Sequence, residues 1–332
     1  MRLVAALLVL ALCSGCESLG YYRQAIGGHL RLMAAARPID DWLADPATPA
    51  EVKQRLVVAQ RIRHFASREL KLPDNASYLS YADLGRRFAV YNVFAAHQFS
   101  VEPKAECFPF TGCVAYRGFY SEADAQRHAA RLRAEGYDVY VGGVPAYSTL
   151  GWFDDPLLST FIRYPDSQLA RLVFHELAHQ LVYAKNDTTF NESFAVVVEE
   201  EGVRRWLAAE GRAVELESFQ KAQARKRELA ARVKETRERL KLIYETSLTP
   251  EQKLEQKRGE FDRLRAAFPG IVPAEPNNAF LVSIALYNEL VPPLERVLAE
   301  AGSLERFYER ARTLAADGRS RAQLSAMSTI RP

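Results

Sequence analysis

The sequence carries very little net charge. Its 44 Lys and Arg stand against 41 Asp and Glu, a formal +3 at neutral pH. Such a balance does not indicate a polyanion partner, so no nucleic acid is expected. After the first fifteen residues no stretch is apolar for long enough to span a bilayer. Internal repeats and low-complexity tracts are also missing, which sets aside solenoids and repeat arrays. What remains is a chain of 332 residues, 48% of them hydrophobic. That is enough for a sizeable core, in one large domain or two closely packed ones.

The start of the chain reads as a targeting segment. Met1-Arg2 gives a short positive region, Leu3 to Leu12 an unbroken apolar run, and Cys13-Ser14-Gly15-Cys16 small residues before a cysteine. The run is too short for a transmembrane helix and fits a signal peptide over residues 1–15. Its ending resembles a bacterial lipoprotein signal, in which the last cysteine is acylated. The position three before Cys16, usually Leu, is Cys13 here, and an ordinary cleaved signal or a membrane anchor is the rival. The resemblance implies a lipid on Cys16 and a place in the cell envelope facing the periplasm. Glu17 rather than Asp favours the outer membrane. Of the other cysteines, Cys107 and Cys113 are expected to form a disulfide in an oxidising compartment, across the turn-rich residues 108–112. A metal pair is the alternative, but no third and fourth soft ligand lie nearby.

The expected fold class is α+β. Residues 16–85 form an N-terminal helical segment, with helices over 23–36 and 49–70. A core over 86–212 follows. Its strand-like stretches are 86–94, 114–120 and 137–142. Between the last two lies a helix that Ser121 and Asp124 can start and Gly136 ends. The strand-helix-strand order suggests a mixed sheet, packed on a helix over 168–185 that Asp166 can cap. Residues 186–189 turn into a second helix over 191–210. Residues 213–270 are highly charged, with apolar positions mostly three or four apart and a break at Thr249-Pro250. They read as a long antiparallel helical hairpin, a solvated structural arm with interspersed charges. Residues 271–332 make a mainly helical C-terminal segment, broken at Pro292-Pro293.

The chemistry concentrates in His175-Glu176-Leu177-Ala178-His179. On a helix, residues four apart lie about 40° apart in azimuth and about 6 Å along the axis. Both imidazoles can therefore close on one ion. Glu176, one residue on, reaches the water on that ion rather than the ion itself, and can act as general base. Leu169, Leu172, Val173, Leu177, Leu181 and Val182 give the helix its apolar flank. Two histidines leave a catalytic zinc one protein ligand short. Glu192 is the best third ligand, twelve residues lying between it and His179. Asn191 could hydrogen-bond the site from outside the ligand set. Glu199 and Glu200 compete for the third place, or face salt-bridge partners or a substrate amine. Tyr147 and Tyr287 are candidate donors to an oxyanion, and each could equally be a core tyrosine. Residues 142–147 could form a sheet edge for an extended substrate, or a simple turn. Asp154 and Asp155 could face a substrate amine or cap the segment at Pro156. His29, His64, His97 and His128 have no ligand-like neighbours.

His175-Glu176-x-x-His179 with Asn191-Glu192-x-Phe194-Ala195 resembles the gluzincin metallopeptidases, which use a glutamate as third ligand. The stretch 140–206 resembles more closely a bacterial family of predicted aminopeptidases, over nearly the whole mature chain. The resemblance implies a zincin-like core, one zinc ion, a peptide substrate and an aminopeptidase activity. An envelope endopeptidase or amidase on the same fold is the alternative. A lipoprotein that binds partners through its hairpin, with structural zinc, is another; a base beside an open coordination position argues against it.

Overall fold

The computed structural model describes residues 20–108, 112–146, 148–317 and 324. Cys16 and Tyr147 lie outside the described residues. Residues 20–34 are helical (α1). They lead into β1 (Ala36–Pro38), α2 (Ile39–Ala44), α3 (Ala50–Arg68), β2 (Ser80–Ala82) and β3 (Val90–His97). Next come β4 (Glu106–Phe108), β5 (Gly112–Val114), β6 (Arg117–Phe119), α4 (Glu122–Ala134), β7 (Tyr137–Val144) and β8 (Leu157–Leu158). The rest is helical: α5 (Asp166–Leu181), α6 (Thr188–Ala209), α7 (Ala213–Glu245), α8 (Pro250–Ala267), α9 (Asn278–Asn288), α10 (Val291–Ala301) and α11 (Leu304–Ala316). The α+β class expected from the sequence is the one observed. Among the described residues no helix is long and apolar enough to cross a membrane.

The pairing refines the sheet. Between residues 86 and 145 the order is β6-β3-β7, all antiparallel, because β3 inserts between the two strands that flank α4. The mixed pairing lies elsewhere, where β2 runs antiparallel to β1 and parallel to β8. Side-chain alternation gives the β3 sheet two distinct faces. Val93, Ala95, Phe119 and Val139 pack under α4. Phe94 and Ala96 face Ala279, Val282 and Leu286 of α9. Ser121 caps α4 by accepting from the Asp124 N–H, and Gly136 follows it with φ +86°.

Helix α5 sits in the middle of the molecule. Leu169, Val173, Phe174 and Leu177 are buried, and so are the polar His175, Glu176 and His179. It packs on α6 and α3. A Cβ on Gly202 of α6 would come within 2.7 Å of Phe174, so the close approach of these two helices requires glycine there. Asp166 does not cap α5 as expected. Pro165 holds the N-cap position, and Asp166 instead pairs with Arg55 and Arg212. Its carboxylate gains more from two guanidiniums than from one backbone N–H.

The charged hairpin is α7 and α8, and Thr249 and Gln252 form a capping box at the start of α8. It is not a free arm. Leu229, Val233, Leu240, Phe261 and Leu264 bury against Val272, Phe280 and Leu281. Lys257 is fixed by Asp138 at 2.6 Å and by the Gln98 carbonyl at 2.9 Å. Pro292 and Pro293 stand in the first turn of α10, where missing N–H groups do no harm.

Candidate metal centre and active site

Helices α5 and α6 bring three donor atoms together. His175 Nε2 lies 3.2 Å from His179 Nε2 and 3.3 Å from Glu192 Oε2, and His179 Nε2 lies 3.6 Å from the same oxygen. The two rings stand nearly perpendicular, at 86°. A tetrahedral ion with bonds of about 2.0–2.1 Å keeps its ligands about 3.3–3.4 Å apart, so the triangle has the size of one coordination face. His175, His179 and Glu192 can thus hold a metal ion.

The surroundings fit a cation as well. His175 Nδ1 lies 2.9 Å from Glu199 Oε2, and Glu199 also takes Arg171 at 3.0 Å. The bond between Nδ1 and Glu199 fixes the ring with Nε2 toward the triangle. Burial works against charge on Glu192 and Glu199. Yet His179 and His175 beside the first, and Arg171 and His175 beside the second, hold both near 2. Burial likewise disfavours a charged His175, but Glu192 and Glu199 outweigh it and lift its pKa to about 10. The carboxylates of Glu192 and Glu199 thus favour positive charge on the His175 ring, at the point where the rings meet.

Glu176 is 7% exposed and has no hydrogen bond or ion pair among the described residues. Burial raises its carboxyl pKa above the ordinary value. Its neighbours in a cavity of 460 Å³ include His175, His179, Glu192 and Tyr287. The other wall of that cavity is the β3 sheet, through Val90, Asn92, Gly118 and Val144 on one face. The helix of the motif and the sheet thus face each other across the cavity.

Tyr287 comes to the site from α9, its ring stacked on His175 at 6.3 Å. Tyr116, between β5 and β6, also lines the cavity and was not singled out from the sequence. Burial first, then nearby carboxylates including Glu192 and Glu176, raise both hydroxyls well above the ordinary tyrosine value, so both stay donors. Only the strand-like character of 114–120 hinted at Tyr116, and nothing local says which face it takes.

The other expectations meet mixed outcomes. Asn191 lines the cavity, but its amide is spent on Ala184. Its Oδ1 accepts from the Ala184 N–H at 2.7 Å and its Nδ2 donates to the Ala184 carbonyl at 2.9 Å. It therefore ties the α5–α6 loop rather than a ligand. Glu199 lies outside the cluster that could hold a metal, and its carboxylate meets His175 Nδ1 instead. Glu200 pairs with Arg227 on the far side of α6. Asp154 is exposed on a loop. Asp155 is 1% exposed and accepts from the Thr149 N–H at 2.8 Å. Neither aspartate lines the cavity. β7 is an edge of its sheet, and Val144 at its end and Ala146 just beyond it line the cavity. Cys107 and Cys113 are joined by a disulfide across β4 and β5, and Phe108 and Val114 of that hairpin also line the cavity. His29, His64, His97 and His128 stand apart from the metal-ligand cluster.

No curated protein and no solved structure matches the chain. A family model matches residues 20–324, and the chain belongs to the family it describes, "Putative aminopeptidase".

Proposed function

We propose that this chain is a zinc-dependent peptidase of the bacterial cell envelope, tethered by a lipid on Cys16 and facing the periplasm, with the outer membrane favoured. The observation that carries the catalytic part is the convergence of His175, His179 and Glu192 in one cavity with Glu176, which has no hydrogen bond or ion pair among the described residues. The family supports peptide as the substrate. Zinc bound there would polarise the scissile carbonyl and acidify a water molecule. Glu176 takes the proton of the attacking water and passes it to the leaving nitrogen, a role suited to a carboxyl whose burial raises its proton affinity. Tyr287 donates to the oxyanion that develops on the carbonyl, with Tyr116 and Tyr147 as alternative donors. Glu199 and Arg171 keep His175 in the tautomer that offers Nε2.

Aminopeptidase action is the reading the family favours. One observation favours an endopeptidase or amidase instead. The only carboxylates among the described cavity residues are Glu176 and Glu192, both already assigned. A desolvated substrate ammonium needs an anionic partner. A peptide-library digest with purified, zinc-loaded protein decides, read by mass spectrometry. Stepwise loss of N-terminal residues means aminopeptidase, and internal fragments mean endopeptidase. No cleavage of any peptide would overturn the peptidase reading.

A further inference from the structure

Large apolar side chains are exposed together at one place. On α1, Tyr22, Ile26 and Leu30 follow one another at four-residue spacing and are 37%, 59% and 59% exposed. That spacing puts them on one stripe of the helix. The loop before β8 adds Trp152, 80% exposed, and Phe153, 51% exposed. The two groups meet, since the His29 ring of α1 lies 4.5 Å from the Phe153 ring.

The loop holds its aromatic residues out by construction. Leu150 and Gly151 take positive φ, 58° and 80°. The Trp152 N–H donates to the Thr149 carbonyl at 3.1 Å, and the Phe153 N–H donates to Thr149 Oγ1 at 3.1 Å. Buried Asp155 accepts from the Thr149 N–H and anchors the turn. A soluble surface gains nothing from a rigid loop that points tryptophan and phenylalanine at water, so the patch is built to be covered.

We propose that this face lies against a lipid bilayer. Aromatic and aliphatic side chains at a chain surface partition into the interfacial region, with tryptophan favoured there. The charges agree. Residues 20–34 hold Arg23 and Arg31 and no acidic residue, against the single exposed Asp154 beside Phe153, which suits anionic headgroups. The place in the chain agrees too. Three residues separate Cys16 from α1, a reach of roughly 14 Å when extended. This last argument rests on the lipid anchor read in the sequence; the patch and its charges do not. Tyr22 and Leu150 also line the catalytic cavity, so a docked face would open that cavity at the membrane surface.

The test uses the full mature chain in vesicles of phosphatidylethanolamine and phosphatidylglycerol. The fluorescence difference between wild type and Trp152→Phe isolates Trp152 from Trp42 and Trp206. The expected result is that brominated lipid quenches most of this component, while iodide in the water quenches it at least threefold less than in the vesicle-free protein. A component open to iodide and untouched by brominated lipid overturns the proposal. Protection from both quenchers overturns it as well, and means that protein covers the patch, a second copy or the chain's own N-terminus; cross-linking tells which. Palmitate labelling of wild type against Cys16→Ser reads the anchor separately. If the label is absent, unlipidated chain mixed with the same vesicles must still show the quenching, and its failure to associate sinks the docking face by itself.

Discussion

Two pairs of helices bury charged groups, and they do so in opposite ways. In the α7–α8 hairpin each buried charge has its counterpart. Lys257 meets Asp138, and Glu260 is flanked by Arg239 and Arg263. In the α5–α6 pair the account stays open. Glu176, Glu192 and Glu199 share two imidazoles and Arg171, and among the described residues neither Glu176 nor His179 Nδ1 has a hydrogen-bond partner. Buried charge normally persists only when paired. A balanced set therefore reads as architecture, and an unbalanced one beside a cavity as a place for a cation and for chemistry.

The largest effect should separate the two regions outright. His175→Ala, His179→Ala and Glu192→Ala should each lose most of the bound zinc, measured by plasma spectrometry, while unfolding remains cooperative. Zinc retained in Glu192→Ala would place the third ligand elsewhere and remove the contrast. The mirror image is Lys257→Ala in the hairpin. It leaves Asp138 without its cation and should cost about 3 kcal/mol of stability, with zinc content unchanged. A denaturant titration that finds no loss would mean this pair is not architectural.

A smaller effect is expected at the cavity wall. Opening the disulfide with Cys107→Ser should cost about 2–3 kcal/mol, the loop being short. It should also raise KM more than it lowers kcat, because the hairpin carries Phe108 and Val114 at the cavity. An unchanged KM would remove the hairpin from substrate binding. The last effect concerns Asp155, whose pKa burial raises to about 6. The folded state then holds this proton more tightly than the unfolded one, so stability falls as pH rises from about 4 through 6. Asp155→Asn should lack that fall, and its Tm should exceed wild type at pH 8 but not at pH 4. Parallel Tm curves would contradict the assignment.

The sequence made the helix of the motif readable because its ligands and apolar flank share one short period. The next helix was equally readable, with Glu192 near its start. Glu199 was half legible. It lies two turns beyond Glu192 and so on nearly the same face, but its bond to His175 depends on how α5 and α6 pack. Tyr116 was not legible, since a chain-distant segment brings it to the site. Asn191 misled for a local reason: an amide can pair with both groups of one nearby residue, here Ala184, and be used up. The strand order was hidden too, because insertion of β3 between β6 and β7 is a long-range choice. The hairpin's docked face follows the same lesson, as its stripe was visible but the surface it meets was not.

In the proposed mechanism Glu176 carries a proton and does not hold the metal. Glu176→Gln keeps the shape of the side chain and removes the base. Zinc content and peptide hydrolysis should be measured together on this variant and on wild type. The expected result is near-stoichiometric zinc with turnover lowered by roughly 10²–10⁴-fold. Zinc lost as in the histidine variants, or turnover within a few-fold of wild type, would contradict it.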